Sequence, residues 1–238
     1  MIFQQLFDQD TGTYTYLLVD PTSREGVLID PVRERTDRDR LLLEELGVSL
    51  RYLLETHVHA DHVTGALRLR ELTGAQIAIS AGSGARGAEV SLVDGQRLRF
   101  GSLELVALAT PGHTDGCMSF VAGDRVFTGD ALLIRGTGRT DFQHGSSERL
   151  YKSITEKLFR LPPETTVYPA HDYKGYTSSS IAMEMKWNPR VGGGRSEAEF
   201  VRIMGELNLA PPKRIGEAVP ANLELGAPPD VIANPRRG

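Results

Sequence analysis

A seven-residue stretch, Thr56–His62, contains four side chains that could bind a metal. It contains His57, His59, Asp61 and His62, and three of the chain's six histidines lie here. Imidazole nitrogens and carboxylate oxygens are good ligands for zinc and iron. Chance crowding of unrelated polar residues is a weak explanation at this density. The stretch therefore predicts a metal site whose remaining ligands lie elsewhere in the chain.

Four predicted strands lead into a histidine or an aspartate. Leu50–Glu55 leads into the Thr56–His62 stretch, and Leu103–Ala109 leads into His113. Arg125–Phe127 leads into Asp130, and Thr166–Tyr168 leads into His171. Any one of these endings alone is weak evidence. Four in one chain form a strong joint signal, which predicts that the strand ends present their polar residues to one site.

The other elements follow from hydrophobic periodicity and turn residues. Strands are predicted at Ile2–Phe7, Thr13–Val19, Gly26–Ile29, Gln76–Ser80 and Met118–Val121, and helices at Thr36–Glu45, Val63–Thr73, Ser147–Phe159, Ser178–Lys186 and from Ser196 to Leu207. Two similar halves, each with strands followed by helices, predict an α+β fold with four layers, an α/β/β/α sandwich. We expect one domain over residues 1–238, with a short irregular C-terminal tail from the proline-rich segment at Ala210.

The composition is that of an ordinary soluble globular protein, with 40% apolar and 24% charged residues among 238. A net charge of −4 gives no sign of nucleic-acid binding. Cys117 is the single cysteine, which suits a reducing compartment. The N-terminus lacks the pattern of a signal peptide, and no run approaches the roughly 18 apolar residues of a membrane span. We therefore expect a cytoplasmic protein with neither nucleic acid nor membrane as a partner.

The ligand-type residues resemble the pattern of a known superfamily. His57–His62 matches the HxHxDH signature of the metallo-β-lactamase superfamily, and His113, Asp130 and His171 match its further ligand positions in order. Five further segments of this chain resemble segments typical of persulfide dioxygenases: Leu133–Gln143, Tyr168–Gly175, Trp187–Arg190, Phe200–Leu209 and Ala218–Asn222. The resemblance implies the αββα sandwich fold with the metal at the sheet edge. One departure is Thr137, where members of the human type carry a cysteine.

The resemblance also implies the cofactor and the reaction. One Fe(II) per chain would be held by His57, His113 and Asp130. Two histidines and one carboxylate on one face of an octahedron leave positions open for substrate and O₂. The implied reaction converts glutathione persulfide, O₂ and water into sulfite and glutathione, in the disposal of sulfide and persulfide.

Roles for the surrounding residues follow from the same resemblance. His59, Asp61, His62 and His171 complete the superfamily pattern, and in dinuclear relatives Asp61, His62 and His171 help hold a second metal. Here the four residues would orient the iron ligands and bound water. Arg139 and Tyr173 match positions that contact glutathione in the related glyoxalase II enzymes. An arginine can grip a carboxylate with two hydrogen bonds. The plainer interpretation of Arg139 is a solvated surface residue.

Two other functions remain open on the sequence. One is a glyoxalase II-like thioesterase with two metals, although the chain after His171 is short for that family. The other is a sensor that binds persulfide or O₂ without turnover. Cys117 is interpreted as buried and inert, Arg135 as salt-bridged, and His144 as a loop residue. The helix pairs Phe200/Met204 and Ile203/Leu207 are assigned to the core or to dimer contact, and a homodimer is expected.

Overall fold

A computed structural model describes residues 1–228, and within them the chain forms two compact units. The first comprises Met1–Leu92, Arg99–Leu103 and the chain from Pro211 onward. The second comprises Val93–Leu98 and Glu104–Ala210. The predicted single domain over residues 1–238 stays a prediction, and the end of its predicted tail, 229–238, lies outside the described residues.

The first unit is built on a six-stranded mixed sheet in the order β1-β2-β3-β4-β5-β6. Its strands are β1 (Ile2–Asp8), β2 (Thr13–Val19), β3 (Glu25–Ile29), β4 (Ser49–Leu54), β5 (Gln76–Ser80) and β6 (Val90–Leu92). The pairs β1–β2 and β2–β3 are antiparallel, whereas β3 through β6 pair in parallel. Because β3 and β4 are adjacent and parallel, the residues that follow them emerge at the same edge of the sheet.

Two helices follow strands of this parallel section, and a third comes from the C-terminus. They are α1 (Thr36–Glu45), α2 (Ala66–Thr73) and α6 (Ile215–Leu223). Helix α2 ends at Gly74, whose φ of 73° lies in the left-handed region that glycine adopts without strain. The buried core of the unit consists of Leu17, Val19, Leu28, Leu43, Leu50, Leu53, Val58, Ala66, Leu69, Ala75, Ile77, Ile79 and Leu225. This core therefore includes Val58, which lies between the first two histidines.

The second sheet also has six strands, in the order β12-β11-β10-β9-β8-β7. They are β7 (Arg97–Phe100), β8 (Leu103–Ala109), β9 (Met118–Ala122), β10 (Arg125–Gly129), β11 (Thr166–Pro169) and β12 (Ser179–Ser180). The pair β10–β11 is parallel, and β8–β9, β9–β10 and β11–β12 are antiparallel. The carboxyl ends of β10 and β11 therefore lie at the same edge, like those of β3 and β4 in the first unit.

Helices of the second unit cover an apolar core. They are α3 (Ser147–Lys152), α4 (Ile181–Trp187) and α5 (Glu197–Gly205). Helix α3 continues through a π-helical turn and a 3₁₀ turn as far as Arg160. Helix α5 opens with a capping box between Ser196 and Glu199. The core consists of Val126, Ala131, Leu132, Leu150, Ile154, Leu158, Val167, Ile181, Val191, Phe200 and Met204.

The predicted α+β class is confirmed, because two mixed sheets carry separate helices. The bounds of Thr13–Val19, Thr36–Glu45 and Gln76–Ser80 agree with the sequence prediction to the residue. The core assignment of Phe200 and Met204 is confirmed as well. Among the described helices, none combines the length and the apolar character that crossing a bilayer requires.

The predicted irregular tail is wrong over part of its length, since α6 lies within it. Pro220 is inside this helix, and a proline removes one helical hydrogen bond, so the sequence argues against helix there. Tertiary contacts offset that loss, because Ala218, Ala221 and Asn222 are all buried. Strand β6 was not predicted, since it has only three residues.

Candidate metal centre

The four predicted strand endings are all present in the structure. His57 follows β4 in the first unit, and in the second unit His113, Asp130 and His171 follow β8, β10 and β11. His57 and His171 are buried at 2% and 3% exposure, and both therefore depend on protein partners rather than on water.

In the first unit the His59, Asp61 and His62 side chains form one cluster. A potential ligand atom from each lies within 4.8 Å of the other two. Nδ1 of His62 is 2.9 Å from Oδ2 of Asp61, and the rings of His59 and His62 are 4.3 Å apart. Both histidines are fully buried, whereas the Asp61 side chain is 27% exposed. The cluster can therefore offer imidazole and carboxylate to a group that reaches it from one side.

His57 is held by its neighbour in the chain and, through it, by Asp30. The Oγ1 atom of Thr56 lies 2.9 Å from Nδ1 of His57 and donates to Oδ2 of Asp30 at 2.8 Å. The Thr56 amide donates to Oδ1 of the same carboxylate at 2.7 Å. Asp30 follows β3, has a φ of 52° and is 1% exposed. It thus fastens the start of the histidine stretch to the neighbouring strand end.

A second buried carboxyl lies beside the first. Glu55 accepts from Oγ1 of Thr64, and its Oε2 is 3.8 Å from Nε2 of His59, which is itself 3.2 Å from Oδ1 of Asp30. Burial raises the pKa of Asp30, although His57 and Thr56 oppose that shift. Burial and the charge of Asp30 raise the pKa of Glu55 well above its usual range. The negative charge of Asp30 thus disfavours ionisation of Glu55.

Asn222 of α6 clamps the backbone of the histidine stretch from the C-terminal side. Its Nδ2 donates to the carbonyl oxygens of His59 and His62 at 2.9 and 2.8 Å. Its Oδ1 accepts from the Thr64 amide at 2.9 Å. Three backbone groups of one loop are thus satisfied by one buried side chain, which fixes the distance between them.

We expect Asn222→Ala to destabilise the first unit by about 2–4 kcal/mol, since it leaves three buried backbone groups without this partner at about 1–3 kcal/mol for each lost contact, partly relieved by water. The measurement is the unfolding free energy in urea. Asn208→Ala is the control, because Asn208 is exposed. A change no larger than that of the control would show that the clamp adds nothing to stability.

In the second unit His113 is oriented by a backbone carbonyl. Its Nδ1 lies 2.7 Å from the carbonyl oxygen of Arg139. A carbonyl oxygen can only accept, so Nδ1 carries the hydrogen and a neutral ring keeps the lone pair of Nε2. That Nε2 atom is 3.6 Å from Oδ2 of Asp130, and Nε2 of His171 is 3.8 Å from Oδ1 of Asp130.

These residues fit a bound metal ion. Oδ1 of Asp130 is buried and accepts no hydrogen bond from any residue that the structure describes. An uncompensated buried carboxylate oxygen is costly, and coordination to a cation would remove that cost. His113 turns its Nε2 towards the same carboxylate. Imidazole nitrogen and carboxylate oxygen together suit zinc and iron.

Gly138 lies against both of these side chains. Its amide donates to the carbonyl of Asp130 at 2.7 Å. A Cβ atom built on it would lie 2.3 Å from that carbonyl oxygen and 2.8 Å from Cγ of His113. Real Cβ atoms do not come this close to other atoms, so only glycine fits this position without movement of its surroundings.

The two predicted glutathione contacts differ in their surroundings. The Arg139 guanidinium donates twice to Asp141, both at 2.7 Å, and also to the carbonyls of Leu209 and Ala210. These bonds from Arg139 lower the pKa of Asp141. Tyr173 is 74% exposed, and its ring stacks on that of His171 at 6.1 Å. Arg139 is therefore already paired with a carboxylate, whereas Tyr173 presents most of its side chain to solvent.

The minor expectations agree with the structure. Cys117 is buried, with its sulfur 3.3 Å from the Thr114 amide. Arg135 forms an ion pair with the fully buried Glu184, and His144 is an exposed loop residue. Thr137 is 2% exposed and donates to the carbonyl of Gly138, so the side chain at this position is enclosed by protein.

Four residues beside the proposed ligands were not predicted as site residues from the sequence: Asp30, Glu55, Gly138 and Asn222. A signal for Asp30 was present, because an aspartate directly after a strand is the pattern that identifies Asp130. The predicted strand ends at Ile29, and no role is predicted for Asp30. Glu55 likewise comes directly after a strand, β4. Gly138 and Asn222 have no comparable local signal, since their importance depends on contacts distant in sequence.

Comparison with known proteins identifies the family. The profile of the metallo-beta-lactamase superfamily matches residues 9–171. The chain is 51% identical over 229 residues to the human protein named persulfide dioxygenase ETHE1, mitochondrial, which covers 95% of this chain and 89% of the human one. It is 34% identical to a probable metallo-hydrolase of Burkholderia pseudomallei, over 97% of this chain and 95% of that one.

A solved structure agrees with these relatives. The crystal structure of ETHE1 from Myxococcus xanthus superimposes with a TM-score of 0.93 at 54% identity, covering 95% of this chain and 100% of that one. A more distant protein, solved in a di-iron-bound form, has a TM-score of 0.67 at 27% identity, over 78% of this chain and 98% of that one. The predicted metallo-β-lactamase fold is confirmed.

Proposed function

Because the chain belongs to the metallo-β-lactamase superfamily, and within it to the persulfide dioxygenases, we propose that it oxidises glutathione persulfide with O₂ and water to sulfite and glutathione. The observation that carries this proposal is 51% identity to the human enzyme over 95% of the chain. Similarity of this extent reaches well beyond the metal-binding motifs, which hydrolases of the superfamily share.

The proposed cofactor is one non-haem Fe(II), held by His57, His113 and Asp130. A redox-active iron with two histidines and one carboxylate supplies the electron transfer that lets O₂ react with a thiol-type substrate. The protein's part is to keep these side chains in the correct tautomer and orientation. The carbonyl of Arg139 does this for His113, and the buried Oδ1 of Asp130 supports its assignment as a ligand.

We assign His59, Asp61, His62 and His171 to the surroundings of the iron rather than to its direct ligands. His59 and His62 each lie beside a carboxylate, Asp30 or Asp61, and such partners restrain an imidazole ring. His171 is 3.8 Å from Asp130 and can restrain that carboxylate in turn. These residues would hold hydrogen-bonded water and substrate near the ligands.

Tyr173 and Arg139 are proposed to contact glutathione. Tyr173 offers an exposed phenol beside His171. Arg139 could bind a glutathione carboxylate if the substrate replaced Asp141 as its partner, since its guanidinium already pairs with that carboxylate. Arg139 would remain paired with a carboxylate after this exchange, which is therefore chemically reasonable.

We expect Arg139→Ala mainly to raise KM for glutathione persulfide, because a carboxylate contact far from the reacting sulfur binds substrate and transition state alike. The measurement is steady-state O₂ uptake. Asp141→Asn separates the two roles of Arg139. It weakens the ion pair between Arg139 and residue 141 but leaves the Arg139 guanidinium available to the substrate. KM should therefore stay near the wild-type value or fall. A drop in kcat without a change in KM in Arg139→Ala would contradict substrate binding.

Bound metal and O₂ uptake, measured on one preparation, test the main proposal. We expect about one iron per chain, and O₂ consumption with sulfite formation from glutathione persulfide. A protein with two metals that cleaves S-lactoylglutathione without consuming O₂ would instead be a glyoxalase II-like thioesterase. Full iron occupancy with no sulfite formed would favour a sensor.

The homodimer and the cytoplasmic location stay predictions. The human relative is named as mitochondrial, and that location belongs to the human protein. Light scattering of the iron-loaded protein tests the dimer directly, with a mass near twice 26.1 kDa expected.

A further inference from the structure

Hydrogen bonds at the start of the histidine stretch connect a buried carboxylate, through a hydroxyl, to a ring nitrogen. Asp30, Thr56 and His57 are its three members, and each is 1–2% exposed. The contacts are 2.8 Å from Oγ1 of Thr56 to Asp30 and 2.9 Å from the same Oγ1 to Nδ1 of His57. Because all three residues are buried, this hydrogen-bond network is a fixed part of the first unit.

The direction of these bonds follows from the capacity of each atom. A threonine hydroxyl has one hydrogen, and here it is donated to the Asp30 carboxylate, which also accepts from the Thr56 amide at 2.7 Å. The hydroxyl oxygen can then only accept from Nδ1 of His57. Nδ1 must carry the hydrogen, and a neutral ring keeps its lone pair on Nε2.

We propose that Thr56 and Asp30 are positioning residues that set the tautomer of His57, so that its Nε2 atom is available to a metal ion before the ion arrives. The inference rests on the proposed role of His57 as a ligand. It matches the arrangement of His113, whose Nδ1 is fixed by the Arg139 carbonyl. In each unit one histidine is thus locked with Nδ1 protonated, by a hydroxyl in the first and by a carbonyl in the second.

The need to hold Nδ1 of His57 protonated explains why the residue before His57 carries a hydroxyl rather than an apolar side chain. Thr56 is buried, and a valine of the same shape would fit the space. Valine could neither accept from His57 nor donate to Asp30, so it would leave two buried polar groups without this partner. A serine keeps the hydroxyl and should keep both hydrogen bonds, and with them the tautomer of His57.

The test uses Thr56→Val and Thr56→Ser in the full chain. In metal-free protein labelled with ¹⁵N-histidine, long-range ¹H–¹⁵N spectra report which ring nitrogen of His57 is protonated. We expect Nδ1 to be protonated in wild type and in Thr56→Ser, and a mixture of tautomers in Thr56→Val. Competition with an Fe(II) chelator should show about 10–100-fold weaker iron binding in Thr56→Val, the effect typical of losing a partner of a ligating histidine.

Thr155→Val is the control, because the Thr155 hydroxyl also donates a hydrogen bond within the protein, to the carbonyl of Tyr151 at 2.8 Å. It should leave both the tautomer and the iron affinity unchanged. Wild-type His57 protonated on Nε2 would overturn the proposal even if Thr56→Val does not fold. So would unchanged iron affinity in a folded Thr56→Val. The tautomer is read without iron or substrate, so absence of O₂ uptake would count against the proposed function and leave this inference intact.

Discussion

His113→Ala is expected to lose its iron and its activity together while remaining folded. The ring supplies one of three proposed ligands, so its removal leaves a histidine and a carboxylate on the ion. Removing a mere partner of a ligand typically costs 10–100-fold in metal affinity, and loss of the ligand itself should cost more than about 100-fold. The measurements are iron content after desalting and the rate of O₂ uptake on glutathione persulfide.

The fold should tolerate this substitution. The His113 side chain is 12% exposed, and its Nδ1 forms a hydrogen bond with the Arg139 carbonyl. Losing such a bond costs about 0.5–1.5 kcal/mol, within the stability of a typical domain. A small decrease in Tm with complete loss of iron is therefore the expected pair of results.

His144→Ala is the control for His113→Ala. His144 lies in the loop that precedes α3, is exposed, and has a φ of 59°, and alanine has the same steric cost there because both side chains carry a Cβ. It should retain iron and activity. O₂ consumption by His113→Ala at the wild-type rate would contradict the assignment of His113 as a ligand.

The strand ends that carry His57, His113, Asp130 and His171 were predictable from sequence for a physical reason. A buried strand reads as an apolar run, and a polar residue directly after it must leave the sheet at the edge. The same logic covers Asp30, whose position after β3 has this pattern. Its partner Thr56 lies on the adjacent parallel strand end, so strand order as well as pattern is needed to foresee the contact.

Contacts between residues distant in sequence could not be predicted in this way. Asn222 reaches the carbonyl of His59 across 163 positions, and it does so from a helix that Pro220 argues against. Glu55 directly follows β4, as Asp30 follows β3, but its burial beside Asp30 depends on how the two strand ends pack. Such residues are recognisable only once the surrounding elements are packed, because their energy comes from tertiary hydrogen bonds and not from local propensity.

Gly138→Ala is expected to weaken iron binding about as much as the loss of a ligand's hydrogen-bond partner, 10–100-fold, and to lower the unfolding free energy by about 1–3 kcal/mol. Its Cβ would overlap the carbonyl of Asp130 and the ring of His113 at 2.3 and 2.8 Å. The backbone at position 138 must then move. That movement stretches the bond from its amide to Asp130 and shifts the neighbouring Arg139 carbonyl that orients His113.

Gly136→Ala provides a control two residues away in the same loop. Its added Cβ would meet only Cβ of Leu133, at 3.8 Å, which is an ordinary van der Waals contact. Neither glycine has φ in the left-handed region, so the two variants differ in the space around the methyl group and not in backbone strain. Iron affinity by chelator competition and Tm are measured for both. If Gly138→Ala lowers Tm but binds iron like Gly136→Ala, then the close approach of Gly138 serves packing alone, and the ligands do not depend on it.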